Sequence, residues 1–124
     1  MNKFDLKTRN KISILTSFLS ALDEEVVSDE GYLLINKKNV NNENDLRFVS
    51  NIVLKPWFLE YTPDNRDKVI HSISFIINGG RDLADAVFSD VNLIFDYEIE
   101  DKVLFLTRVK DLLDEYVRDN NYLN

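Results

Sequence analysis

The side chains in this chain with the greatest capacity for chemistry are carboxylates, and they are concentrated between positions 82 and 101. This acidic segment reads DLADAVFSDVNLIFDYEIED and contains no Lys, Arg or His. Carboxylates at such density can bind a divalent cation, act as an acid–base pair in hydrolysis, or present negative charge to a basic partner. The acids of the segment are Asp82, Asp85, Asp90, Asp96, Glu98, Glu100 and Asp101.

A calcium-binding loop is the most specific of these possibilities, and the residue spacing argues against it. With Asp90 in the first position of an EF-hand loop, the fifth position must supply an oxygen ligand and the sixth must be Gly. Those positions hold Ile94 and Phe95. Hydrolysis by paired carboxylates has no specific signal, because so many acids are present that no single pair stands out. A metal- or carboxylate-dependent enzyme is therefore the less favoured alternative.

Residues outside the acidic segment supply no recognisable catalytic group. The chain has no Cys, which removes thiolate nucleophiles, disulfides and Cys-based zinc sites. A Ser nucleophile would have to use His71, the only His, and the chain contains no G-x-S-x-G sequence. The Gly79–Gly80 pair lacks both the P-loop Lys and the dinucleotide-binding spacing. We therefore predict no catalytic residue, no cofactor and no metal, and a protein that is not an enzyme.

The net charge restricts the partners that this protein can bind. At −7 the chain is repelled by phosphate backbones and anionic lipid surfaces. The only basic cluster, Lys3, Lys7 and Lys11, has the spacing of an ordinary solvated helix face. No apolar run approaches the roughly 18 residues of a membrane span, and polar residues interrupt the apolar run near the N-terminus. We expect a cytoplasmic protein with no direct nucleic-acid or membrane partner.

The acidic segment fits a surface that binds a basic protein. Charge attraction accelerates association, and aromatic side chains buried in an interface slow dissociation. The predicted partner-binding residues are Asp82, Asp85, Phe88, Asp90, Phe95, Asp96, Tyr97, Glu98, Glu100 and Asp101. The alternative is a structural or oligomerisation module that uses the aromatic run from Trp57 to Tyr61. We favour packing of that run in the core, so a homo-oligomer is possible but not indicated.

In its small size, its acidity and its lack of Cys and of catalytic residues, the chain resembles the immunity proteins of bacterial toxin systems. These include the systems of contact-dependent growth inhibition. The resemblance extends over the whole chain and is one of general character, without a diagnostic motif. It implies a cytosolic inhibitor that binds and neutralises one cognate toxin domain, often a basic nuclease domain.

The elements that must position these residues are predicted to be mainly α-helical. A chain of 124 residues forms one domain, and the apolar spacing predicts a compact bundle of about five helices. Asn42 and Thr62 suit helix N-caps, and Asn78–Gly79–Gly80 suits a helix end. Pro56 is expected to end or kink its helix. The predicted helices span 3–27, 42 to about 56, 63–78, 81–88 and 99 or 100 to 118.

Two segments leave a second fold class open. Residues 91–99 alternate between apolar and polar side chains, which is the strongest strand signal in the chain. Tyr32 to Ile35, within the long connection 28–44, is too short an apolar run for a helix and suits a brief strand or a loop pinned to the core. The alternative to the helical bundle is therefore an α+β domain with a small sheet from 32–35 and 91–99.

Overall fold

The computed structural model describes residues 4–95 and 98–123, with side chains described up to residue 120. All the regular structure in these ranges is helical, which confirms the predicted mainly α class. A short 3-10 turn, Ser20–Leu22, extends the first helix, and a π turn, Ser50–Leu54, joins the third to the fourth. The helices are α1 (Leu6–Leu19), α2 (Asp29–Ile35), α3 (Glu43–Val49), α4 (Lys55–Leu59), α5 (Pro63–Gly79), α6 (Arg81–Ser89) and α7 (Lys102–Leu123).

Short polar side chains start most of these helices. Ser28 Oγ accepts a hydrogen bond from the Gly31 amide at 3.1 Å, and Asn42 Oδ1 accepts one from Asp45 at 3.1 Å. Thr62 Oγ1 caps α5 in the same way at 3.2 Å. These bonds satisfy amides that have no partner within the helix. The predicted caps at Asn42 and Thr62 are therefore confirmed.

Helix α5 is the centre of the bundle and packs against α1, α6 and α7. Its buried face consists of Val69, Ser72, Ile73 and Ile76. Gly80 follows with φ 84°, a conformation that glycine adopts without a steric penalty, and it turns the chain directly into α6. Helix α4 joins the same core through Phe58, whose ring stacks edge to face on Phe18 of α1 at 5.9 Å.

The chain from Glu43 to Leu59 stays helical through the π turn, so Pro56 does not end it. Pro56 lies in the first turn of α4, where its missing N–H costs little. The π turn is tied to α7 by two hydrogen bonds of the Tyr116 hydroxyl, of which the one to Ser50 is buried. Tyr116 Oη donates to Asn51 Oδ1 at 2.6 Å and lies 2.8 Å from Ser50 Oγ, which therefore donates to it.

The five predicted helices correspond to α1, α3, α5, α6 and α7. The helix predicted from 42 to about 56 is formed by α3, the π turn and α4 and extends to Leu59, and α1 and α7 also differ in their limits. Helix α1 with its 3-10 turn ends at Leu22 instead of residue 27, and α7 begins at Lys102. Asp23 accounts for the earlier end. Its carboxylate accepts from the Glu25 amide at 2.9 Å and from the Asn92 amide at 3.2 Å, so it serves a turn instead of a further helical turn.

The prediction of a strand or pinned loop at 32–35 is wrong, because these residues form the second half of α2. The helix is started by Ser28 and by Asp29 and Glu30 in its first turn, where the helix dipole stabilises anions. Gly31 lets this helix lie close to the chain before it. A Cβ at that position would come within 3.2 Å of Ser28 Oγ and Val27 Cγ2.

The α+β alternative is also wrong for the residues that the structure describes. Residues 91–95, 98 and 99 form no strand, and Asp96 and Tyr97 lie outside the described residues. Leu93 makes one isolated antiparallel bridge, and its partner is Asp23 instead of the 32–35 segment. The neighbouring Ile94 amide donates to Leu22 O at 3.2 Å. Residues 91–95 thus pack on the core beside the end of α1 without forming a strand.

Candidate functional site

Most of the predicted partner-binding residues lie together where α6, the following loop and the start of α7 meet. We call this surface the acidic corner. Its six described acids are all exposed, and its two described aromatic residues are half-buried. Asp96 and Tyr97, which belong to the same prediction, lie outside the described residues. The acidic corner consists of Asp82, Asp85, Phe88, Asp90, Phe95, Glu98, Glu100 and Asp101.

Two adjoining depressions mark the acidic corner, and Lys102 lines both. The first, of about 320 Å³, is polar and is formed by Arg81, Asp85, Glu100, Asp101, Lys102 and Val103. The second, of about 440 Å³, holds both aromatic rings of the corner and is formed by Phe88, Val91, Asn92, Leu93, Phe95, Glu98, Ile99 and Lys102. The corner therefore offers carboxylates beside partly exposed aromatic surface.

Part of the negative charge at the corner is used within the chain. Lys102 Nζ lies 3.3 Å from Asp85 Oδ1, although both side chains are well exposed and such a pair contributes little to stability. Asp101 Oδ1 accepts from the Leu104 amide at 3.0 Å and caps α7. These contacts explain why two of the acids are where they are without reference to a partner.

Asn41 binds the backbone of the corner just before α7. Its Nδ2 donates to Glu98 O at 2.8 Å, and its Oδ1 accepts from the Glu100 amide at 2.8 Å. Arg108 in turn donates to Asn41 O at 3.1 Å. Sequence reasoning missed this role, because one Asn in an Asn-rich connection carries no signal of a contact nearly sixty residues away.

A second surface, which sequence reasoning did not identify, lies between α2 and the chain from the π turn to α4. This apolar groove has a volume of about 390 Å³. Three of its apolar side chains are strongly exposed, namely Val26 at 48%, Leu34 at 52% and Ile52 at 37%. The groove is formed by Ala21, Val26, Val27, Ser28, Glu30, Gly31, Leu34, Ile52, Val53, Pro56, Trp57 and Glu60.

The signal that could have revealed this surface is the Ser28 cap. A helix started at Ser28 places Gly31 and Ile35 inward, and both are buried. The same helix leaves Tyr32 and Leu33 outside, at 42% and 77% exposure. An apolar run in a short surface helix is thus half core and half exposed.

The aromatic run from Trp57 to Tyr61 belongs mainly to the core. Phe58 is fully buried, and Tyr61 stacks edge to face on Phe18 at 5.9 Å. Burial raises the pKa of the Tyr61 phenol. Trp57 is half-buried and is the part of the run that reaches the apolar groove. Of the aromatic residues in the run, Phe58 is buried, and Trp57 and Tyr61 are half-buried.

A few further titrating groups have shifted pKa values for structural reasons. Burial raises the pKa of Tyr116, whose hydroxyl lies in the bonds that hold the π turn. The Arg47 guanidinium, 2.9 Å from Glu115 Oε1, lowers the pKa of that carboxyl. His71 is exposed on α5. Over the part of the chain that the structure describes, no three His, Asp or Glu side chains are grouped to hold a metal ion.

Comparisons of the chain with protein-family models, with curated proteins and with solved structures give no match. Within the described residues, no helix is both long and apolar enough to cross a membrane.

Proposed function

We propose that this chain is a small cytoplasmic protein-binding protein whose partner is basic. Within that class, we propose an immunity or inhibitor protein that neutralises a cognate toxin domain. The observation that carries the proposal is the acidic corner. Four exposed carboxylates, of Asp85, Glu98, Glu100 and Asp101, line two adjoining depressions, and Phe88 and Phe95 lie half-buried in one of them. Asp82 and Asp90 add two exposed carboxylates on α6 and at its end.

The chemistry of the corner favours a basic protein over other partners. Exposed carboxylates attract a positive surface and raise its association rate by about 10- to 1000-fold at low ionic strength. The aromatic rings then supply apolar area that is buried on contact. Asn41 already binds the backbone at Glu98 and Glu100, so these two residues lose little conformational freedom when a partner binds.

A nuclease domain is the toxin class that this surface suits best. A nuclease cleft carries positive charge because it must hold a phosphate backbone. Carboxylates spread over 82–101 can occupy such a cleft and exclude the nucleic acid by competing for the same cationic side chains. The general resemblance to immunity proteins supports the same class.

The test begins with the reading frame immediately upstream in the source DNA, whose basic C-terminal domain is the expected partner. Calorimetry should show 1:1 binding that weakens steeply as salt is added. Glu98→Lys and Asp90→Lys should each weaken binding by roughly tenfold or more, because each replaces an attraction by a repulsion.

Asp67→Lys, which changes an exposed acid on α5, is the matched control for charge. A dissociation constant that is equally affected by all three reversals would contradict the role of the acidic corner. An upstream frame that encodes no basic toxin domain would contradict the immunity function itself.

A further inference from the structure

The apolar groove has the features of a second docking surface, separate from the acidic corner. Val26, Leu34 and Ile52 expose between 37% and 52% of their surface and line one depression with a volume of about 390 Å³. Contiguous exposed apolar surface in a small protein marks an interaction site more often than isolated exposed residues do. Leu33, at 77% exposure, extends this surface over the outer side of α2.

The charge around the groove is of one sign. Glu30 and Glu60 line it from opposite walls, and no Lys or Arg lines it. Glu24, Glu25 and Asp29 are exposed on the adjacent chain. The nearest cation in sequence, Lys55, places its Nζ 5.6 Å from the centre of the Tyr116 ring, on the side of α7. The groove is thus an apolar floor between acidic walls.

This pattern of charge selects the occupant. A second copy of the chain would bring the same acids against one another, and like charges facing each other at an interface cost affinity. A peptide that binds by adding a β-strand needs the open edge of a sheet, and the described residues form no sheet. A groove between two helical walls suits the apolar face of an amphipathic helix. Basic side chains beside that face would pair with Glu30 and Glu60.

We propose that the groove between α2 and the π turn–α4 chain binds an amphipathic helix with apolar residues at helical spacing and Lys or Arg along both flanks. The exposed Leu34 and Ile52 contact the apolar face of that helix, and Glu30 and Glu60 bind its flanks. The site is separate from the acidic corner, so it stands or falls without the corner.

The chain contains its own reporter for this site. Trp57 is the only Trp, and it lines the groove. The probes are peptides of about 18 residues, long enough to form a helix, with Leu at helical spacing and Lys on the flanks. Matched peptides carry Glu in place of Lys, or the same residues in scrambled order. We expect the Lys peptides to change Trp57 emission saturably and to bind at least about tenfold more tightly than the Glu peptides.

Substitutions inside and outside the groove test whether the peptides bind there. Leu34→Asp and Ile52→Asp should each weaken the Lys peptides by about tenfold or more, since each removes apolar contact area and places a charge in its stead. Leu104→Asp changes an equally exposed apolar residue on α7, outside the groove, and should leave binding within about twofold. Glu30→Lys with Glu60→Lys should remove the preference for Lys over Glu peptides.

Several results would overturn the proposal. These are the absence of a saturable Trp57 response to the Lys peptides, equal affinity for Lys and Glu peptides, or an equal loss with Leu104→Asp. A dimer in sedimentation equilibrium that Leu34→Asp dissociates would assign the groove to a second copy of the chain. A Trp57 response to phosphatidylcholine vesicles in place of the peptides would assign it to lipid.

Discussion

The acidic corner and the apolar groove flank the same isolated β-bridge between Asp23 and Leu93. They differ in the contacts that their side chains make within the chain. The corner is rich in charge, and part of that charge has a partner within the chain: Asp101 caps α7, and Asp85 lies 3.3 Å from Lys102 Nζ. The groove carries its charge on its walls, at Glu30 and Glu60, and its apolar side chains at Val26, Leu34 and Ile52 face solvent.

A high density of charge therefore does not mean that a surface is free to bind a partner. An acid that caps a helix has a structural reason to be there, so the number of acids overstates what the corner offers to a partner. An exposed Leu in a concave surface has no comparable use inside the chain. Substitutions in and beside the two surfaces test how rigidly each is held.

A substitution at Phe58 tests whether α4, which forms one wall of the groove, is part of the hydrophobic core. Phe58→Ala removes a fully buried ring from α4, next to Trp57 of the groove. Its loss should lower the free energy of unfolding by about 3–5 kcal/mol through lost burial and a residual cavity. Urea unfolding followed by Trp57 fluorescence measures it. Phe48→Ala, at a Phe with 39% exposure on α3, is the matched control, and a similar loss there would contradict the assigned buried face.

The corner should be most sensitive at Asn41. Asn41→Ala removes two hydrogen bonds to the backbone at Glu98 and Glu100, which should cost about 2 kcal/mol of unfolding free energy. Amide hydrogen exchange at Glu100 should accelerate, because that amide loses its acceptor. Asn44→Ala, at an exposed Asn in the same region, serves as the control. Unchanged exchange at Glu100 would mean that the loop is held by other contacts.

The groove should be anchored to α7 through Tyr116. Tyr116→Phe leaves buried Ser50 Oγ and Asn51 Oδ1 without their partner, and this should cost about 1 kcal/mol. Because burial raises the pKa of Tyr116 above the ordinary value near 10, the unfolded chain ionises first, so stability should fall as the pH rises above about 10.

The variant should show a shallower alkaline decline, to which Tyr61 still contributes because burial raises its pKa as well. Thermal unfolding at pH 8 and pH 11 measures the difference. Tyr32→Phe, at an exposed Tyr on α2, should follow the unsubstituted protein. An identical alkaline slope in Tyr116→Phe would show that this phenol does not carry the effect.

The smallest effect is expected at the ion pair between α3 and α7. Arg47 lowers the pKa of Glu115 below its ordinary 4.5, so the pair stabilises the fold above that value and the contribution is lost as the pH falls through the folded pKa. Both side chains are partly exposed, so Glu115→Gln should cost roughly 0.5 kcal/mol at pH 7 and less at pH 3. Chemical unfolding at both pH values measures it, with Asp67→Asn as the control. A constant cost at both pH values would rule out the ion pair as its source.

Sequence reasoning was sufficient where one local signal decides the structure. The caps at Asn42 and Thr62 and the turn at Gly80 depend on residues within three or four positions, and all three are found where the spacing predicts them. The gathering of the described acids at one corner likewise follows from their closeness along the chain. These features need no knowledge of the tertiary fold.

Where contacts between distant parts of the chain determine the local structure, the sequence pattern did not predict it. The 91–95 segment has strand-like alternation, but the end of α1 takes its backbone bonds. Tyr32 to Ile35 has a strand-like run, but Ser28 starts a helix that turns half of the run outward. Asn41 and the groove arise only when segments far apart in the chain meet. Local propensity carries no record of such contacts.

The π turn has a consequence for the phase of the helix that contains it. Four of the buried residues of this helix recur at intervals of four, at Leu46, Ser50, Leu54 and Phe58. In a regular α-helix this interval drifts by about 40° at each step, or about 120° from the first to the last. The wider i→i+5 turn takes up much of that rotation, so Phe58 faces the same core as Leu46. A deletion of one residue within 50–54 would leave Phe58 eleven residues after Leu46, which in a regular α-helix lies within about 20° of three full turns. The π turn would then become α-helical while Phe58 kept its place in the core.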